Sequence, residues 1–213
     1  MSPPNESYPP SRPDITDLSP FEGKVSLDLS GCTNLVDLSP LRESAKEVDL
    51  CGCVKLVDVS PLSGARMVDL SHCRKVSDVS SLGSVKELNL SGCNHVEDVS
   101  ALGDADRLDL SYCRLMENVG FLGSVCELNL SCCHRLVDVS ALGGVHTLTL
   151  SGCNGVVDVS ALDWVYDLDL SYCDSLIDVS ALTNVHKLNL TGCNQVDKDA
   201  ARRVLVNVEE LIM

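Results

Sequence analysis

The chain has 213 residues, with 16 Lys+Arg against 31 Asp+Glu and a formal net charge of −15. A field of that sign excludes a general nucleic-acid binder and an anionic-membrane binder, and an aromatic content of 3% is low for a conventional compact core. No apolar run is long enough to span a membrane, and Met1-Ser2-Pro3-Pro4-Asn5-Glu6-Ser7 has neither a basic nor an apolar leader region. A soluble chain without a signal peptide is expected.

In chain order, residues 1–13 hold five of the eight prolines, and a disordered tail is expected there. Residues 14–24, with Ile15-Thr16-Asp17-Leu18-Ser19-Pro20-Phe21, supply a half-unit that caps the first rung. From 25 to 196 the sequence is periodic. Cys32, Cys53, Cys73, Cys93, Cys113, Cys133, Cys153, Cys173 and Cys193 are separated first by 21 residues and then always by 20. One unit stacked about nine times is the expected architecture. In the unit from Val85 to Asp104, apolar residues fall at 85, 88, 90, 93, 96, 99 and 102. The 88/90 pair has strand spacing, and the later steps of three suit a tight turn or a 3-10 segment. Residues 197–213 close the array. Ala201, Val204, Leu205 and Val208 have the i, i+3, i+4, i+7 spacing of an amphipathic helix, and Leu211-Ile212-Met213 would begin a last strand.

These units resemble the leucine-rich repeat. The first half, as in Leu168-Asp169-Leu170-Ser171-Tyr172-Cys173, is similar to the cysteine-containing repeats of ubiquitin-ligase adaptors. The second, as in Asp58-Val59-Ser60-Pro61-Leu62, is similar to the short repeats of phosphatase regulators and internalins. The resemblance covers residues 14–213 and implies an α/β solenoid, a horseshoe with a parallel sheet on its concave face and 3-10 or turn segments on its convex face. Strands stack about 4.8 Å apart, so nine rungs would span on the order of 45 Å. Each rung encloses only a few Leu, Val and Cys, which accounts for the scarcity of large aromatics.

Because the units are in register, each position becomes a column. The cysteine column is expected to be a buried ladder of reduced thiols, since in-register parallel strands hold neighbouring Cβ atoms too far apart for disulfides. Reduced thiols point to a cytoplasmic protein. Cys51, Cys126 and Cys132 lie off that column. A second column, Asp37, Asp58, Asp78, Asp98, Asn118, Asp138, Asp158 and Asp178, is placed to accept backbone N–H bonds and start the next turn. Its alternative is a cation-binding ladder.

The third column projects from the strand between its leucines: Asp28, Asp49, Asp69, Asn89, Asp109, Asn129, Thr149, Asp169, Asn189. With neighbours two residues earlier, Glu47, Asp49, Met67, Asp69 and Glu87 form an acidic patch with an apolar centre, continued by Arg107 and Asp109. This patch is the expected contact for a protein partner with a basic surface. Tyr112 and Tyr172 stand where Gly is usual, at the rim of the same face, and are added as interface anchors. A basic edge comes after the cysteines (Lys55, Arg74, Lys75, His95, Arg114, His134, Arg135) and offers an alternative surface for an anionic peptide or phosphate. Phe121 and Trp164 depart from the pattern on the convex side, while Cys126, His146, Tyr166 and His186 make one more column.

Nothing isolates a nucleophile with a base and an oxyanion site, and no cofactor fingerprint or four-ligand metal set is present in the sequence. The expected function is therefore a non-catalytic protein–protein interaction scaffold, without cofactor or metal, acting as a monomer. End-to-end self-assembly and cation binding are the alternatives.

Overall fold

A computed structural model describes residues 15–213; the proline-rich tail expected at 1–13 lies outside the described residues. Ten three-residue strands form one open parallel sheet in sequence order. They are β1 (Ser26–Asp28), β2 (Glu47–Asp49), β3 (Met67–Asp69), β4 (Glu87–Asn89) and β5 (Arg107–Asp109), then β6 (Glu127–Asn129), β7 (Thr147–Thr149), β8 (Asp167–Asp169), β9 (Lys187–Asn189) and β10 (Glu210–Ile212). Each strand pairs with the next without slippage, so Leu27, Val48, Val68 and Leu88 fall opposite one another, and so on down the sheet. This is the solenoid that the repeat period implies.

Most rungs return through the convex side by a 3-10 segment, as at Ser39–Leu41, Ser60–Leu62 and Ser100–Leu102. Pro40 and Pro61 occupy the second position of two of these, where a missing N–H costs nothing. At 120–122 and 180–182 the chain keeps only a turn, although Leu122 and Leu182 still donate to Val119 and Val179. In the first of these Gly120 and Phe121 stand where the other units have Ser followed by Pro, Ser or Ala. The extra residue of the first full repeat falls at Arg42–Ser44, and Glu43 absorbs it by turning left-handed at φ 68°, as Gly23 does one unit earlier at φ 79°.

The core is a stack of layers, one per rung, and each layer touches only its neighbours. Leu90, Cys93, Val96, Val99 and Leu102 are all buried within one rung, and the same positions are buried in the others. No lone unit could bury this face, so cohesion comes entirely from stacking. The helix α1 spans Lys198–Val204, with the Asp197 carboxylate accepting from the N–H groups of Asp199 and Ala200. It stops before Leu205, so Ala201 and Leu205 are buried while Val204 stays exposed, which narrows the apolar face that the spacing predicts. The strand β10 then pairs with β9.

The nine ladder cysteines are buried, and no disulfide joins any of the twelve cysteines, all of which lie among the described residues. From Cys53 onward each ladder thiol donates back to the preceding rung: Cys73 Sγ to the Leu50 carbonyl at 3.1 Å, Cys93 to Leu70 at 3.1 Å, Cys193 to Leu170 at 3.0 Å. The same carbonyls also accept the N–H of their own rung's cysteine, as Cys53 N donates to Leu50 O at 3.0 Å. Burial pushes the Cys53, Cys73, Cys113 and Cys173 thiols up to about 12.

Candidate protein-binding surface

The sheet presents two columns of side chains to the concave face, since successive residues of a strand point to opposite sides. The residue between each pair of inward leucines forms the inner column, and its chemistry is dictated by the turn after the strand. Asp28, Asp49, Asp69, Asn89, Asp109, Asn129, Asp169 and Asn189 each accept, through Oδ1, the backbone N–H two residues on. The convex column does the same: Asp58, Asp98 and Asp138 accept from Ser60, Ser100 and Ser140, and Asn118 from Gly120. Hydrogen bonds from those serines hold the convex carboxyls below the usual carboxylate range.

Only the second oxygen of the inner carboxylates is therefore free to meet a ligand. Asn89 Nδ2 donates to Asp69 Oδ2 at 2.9 Å, and Asn129 Nδ2 to Asp109 Oδ2 at 3.0 Å, so an amide covers the outer oxygen at two rungs. Asp28, Asp49 and Asp69, aligned on consecutive strands, have no amide between them. Partial burial, reinforced by the charges of Asp69 and Asp28, raises the Asp49 carboxyl.

The outer column runs Ser26, Glu47, Met67, Glu87, Arg107, Glu127, Thr147, Asp167, Lys187, Glu210. Arg66, just before β3 and absent from the expected patch, contacts Glu47 at 3.9 Å and Glu87 at 3.3 Å. Arg107 lies between Glu87 at 3.9 Å and Glu127 at 3.0 Å. Both arginines are largely solvated, so these pairs contribute little stability but partly compensate the acid around Met67. The role of Arg66 was findable: it is the only arginine in a column that carries Lys46 and Lys86 on the neighbouring rungs.

A trough of about 410 Å³ runs along the concave face from β3 to β7. It is lined by Met67, Asp69, Glu87, Arg107 and Asp109, five of the nine expected contact residues. Glu47 and Asp49 continue the surface one strand beyond. Tyr112 and Tyr172 sit on the rim instead, 53% and 59% exposed. Their position is left-handed in rung after rung: Gly31, Gly52, Gly92, Gly152 and Gly192 adopt it, and so do His72, Tyr112, Cys132 and Tyr172 at φ 58–60°. The Tyr172 ring lies over Gly192, whose missing side chain leaves room for it.

The basic edge is partly engaged by the chain's own groups. Lys55 donates to Asn34, Arg135 pairs with Glu117 at 3.1 Å, and His95 Nδ1 lies 2.6 Å from the Arg74 carbonyl. The column after Cys126 is an aromatic stack: His146 and Tyr166 have centroids 4.8 Å apart, Tyr166 and His186 4.4 Å. Among the described residues no three His, Cys, Asp or Glu side chains converge as a metal site. No helix among them is long and apolar enough to cross a membrane.

No family profile and no curated protein matches the sequence. Among solved structures the chain is similar to the internalin InlF of Listeria monocytogenes, at 21% identity and a TM-score of 0.72, over 93% of this chain and 64% of that one. It is also similar to internalin C2 of that organism (19% identity, TM-score 0.47, 89% and 76% covered). The leucine-rich repeat-containing protein LegL7 of Legionella pneumophila is a third (14%, 0.47, 96% and 88%). The chain thus spans less than two thirds of InlF. The columns, the open parallel sheet and the likeness to InlF agree: the chain adopts the leucine-rich repeat fold.

Proposed function

We propose that this protein is a non-catalytic scaffold that recognises a protein partner through its concave face. The observation that supports this reading is the trough over β3–β7, where Met67 is exposed among charged side chains that no turn requires. Inner-column residues are committed to turns, but Glu47, Met67, Glu87 and Arg107 cap nothing, so their identity is free to serve binding. Preformed side chains on a rigid sheet lose little entropy on association, which favours such a surface over a mobile loop. The partner has a basic surface complementary to Glu47, Asp49, Asp69 and Glu87, with Tyr112 and Tyr172 gripping it from the rim. An intracellular setting is in keeping with twelve cysteines that form no disulfide.

The test is affinity capture from cell lysate with wild type and with Glu47→Lys/Met67→Arg. Asp69 is left intact because it caps a turn. A protein captured by wild type and lost by the variant, with unchanged circular dichroism, supports concave recognition. Equal capture by both overturns it.

A further inference from the structure

On the convex side the residue before each turn-starting aspartate is exposed, and the fold does not specify it. Val36 and Val57, each 56% exposed, hold the position on the first two full rungs, and Ser77, Glu97 and Glu117 interrupt the apolar column in the central ones. In the last three rungs it is Val137, Val157 and Ile177, which are 57%, 54% and 64% exposed. Since Ser and Glu occupy the same place on neighbouring rungs, the apolar residues are not there for the core. The last three form a strip one residue wide and three rungs long. It ends at a cleft of about 100 Å³ between the last repeat and α1, where Ile177, Val196, Ala201 and Val204 supply apolar walls and Asp178 and Asp197 acidic ones.

Beside the strip run Asp138, Asp158 and Asp178, all solvated and held ionised by their turn serines. From 136 to 196 the chain carries seven aspartates, two histidines and one Lys, and that Lys187 faces the other side of the rung in β9. Arg135, just before the strip, is engaged by Glu117. The strip is thus apolar and flanked by negative charge that its own rungs leave uncompensated. Rungs repeat about every 4.8 Å and an α-helix advances 5.4 Å per turn, so a helix laid along the solenoid axis can place one apolar residue on each rung.

We infer that the strip Val137–Val157–Ile177 docks an amphipathic helix of a partner protein. That helix carries apolar residues at i, i+4 and i+7 and Lys or Arg beside them, with its end anchored in the cleft against α1. This surface is distinct from the concave trough and does not depend on it.

The test is fluorescence anisotropy with a labelled synthetic peptide of that pattern, beside an isomer of the same composition with the pattern scrambled. Two variants copy residues the chain already uses on other rungs: Val157→Ser/Ile177→Glu copies Ser77 and Glu97, and Asp138→Asn/Asp158→Asn/Asp178→Asn copies Asn118, which caps its turn without charge. The patterned peptide should bind wild type, and each variant should weaken it at least about tenfold. Glu47→Lys/Met67→Arg should leave this binding unchanged. Equal affinity of wild type and Val157→Ser/Ile177→Glu overturns the inference, as does equal affinity for the scrambled isomer. Self-association abolished by Val157→Ser/Ile177→Glu would assign the strip to a second copy and overturn it too.

Discussion

His72, Tyr112, Cys132 and Tyr172 hold a left-handed backbone that costs a residue with a Cβ roughly 1–2 kcal/mol. Their register with five glycines was visible in the sequence, but nothing there showed that the ring of Tyr172 would cover the next glycine. A Cβ at Gly52, where φ is 73°, would meet nothing within 4 Å, whereas at Gly192 it would come within 2.5 Å of the Tyr172 ring. Gly192→Ala is therefore expected to cost up to about 1 kcal/mol more than Gly52→Ala in urea unfolding. The same comparison in a Tyr172→Gly background should remove the excess. The thiols divide just as sharply. Iodoacetamide at pH 8 should modify no more than Cys51, Cys126 and Cys132 in the folded chain, counted by intact mass, because the nine ladder thiols are buried. A ladder cysteine labelled at a comparable rate would contradict the buried column.

At the scale of the repeat unit, the inner column shows where sequence reading stopped short. The convex aspartates were legible as turn caps from Asp58-Val59-Ser60, yet Asp28-Leu29-Ser30 has the same spacing and the same role. The signal was present at both places; strand context hid it, because a polar residue on an exposed sheet face has a ready explanation as solvated surface. The pairing of Asn89 with Asp69 depends on which rungs carry amides, a fact of sequence whose meaning needs side-chain direction. It also yields a prediction. Asp49 lies between Asp28 and Asp69, so Asp49→Asn keeps the bond to the Cys51 N–H and removes charge where burial and repulsion disfavour it. Its Tm should rise, on the order of 1–2 °C by thermal circular dichroism, and an unchanged or lower Tm would show that the row of carboxylates is unstrained. Asp98→Ala should instead lower Tm by a few degrees through loss of the Ser100 cap, and Asp98→Asn should restore most of it.

For the whole molecule the two ladders set opposite limits on pH. The ladder thiols titrate above their unfolded value, so above pH 9 the unfolded chain releases protons that the folded one keeps, and stability falls as pH rises toward about 12. Each thiol contributes roughly 1.4 kcal/mol per pH unit within that window. The convex carboxyls titrate below theirs, so their contribution is present above about pH 4 and is lost as pH falls through the depressed values. A Tm profile flat from about pH 5 to 8 and collapsing steeply above 9 is expected; a profile still flat at pH 11 would remove the thiols from the account. The global fold was fully legible because one period fixed every column at once. The proposed contact surfaces were less so, because charge pairing such as Arg66 with Glu87 joins residues 21 positions apart.

The unbroken one-to-one pairing of β1 through β10 gives the array no point at which it must close. A barrel or a bundle fixes its number of elements by geometry, whereas this chain can gain or lose a rung and change the surroundings of only the rungs at the junction. Removing residues 85–104 would join Ser84 to Ala105 in register, and that shortened protein should fold with its circular dichroism per residue preserved. In the coding DNA such a step is an in-frame change of about sixty nucleotides between units that share one period. Length is then something that recombination can vary freely, and the spacing between a concave contact and the C-terminal helix becomes adjustable in steps of one strand.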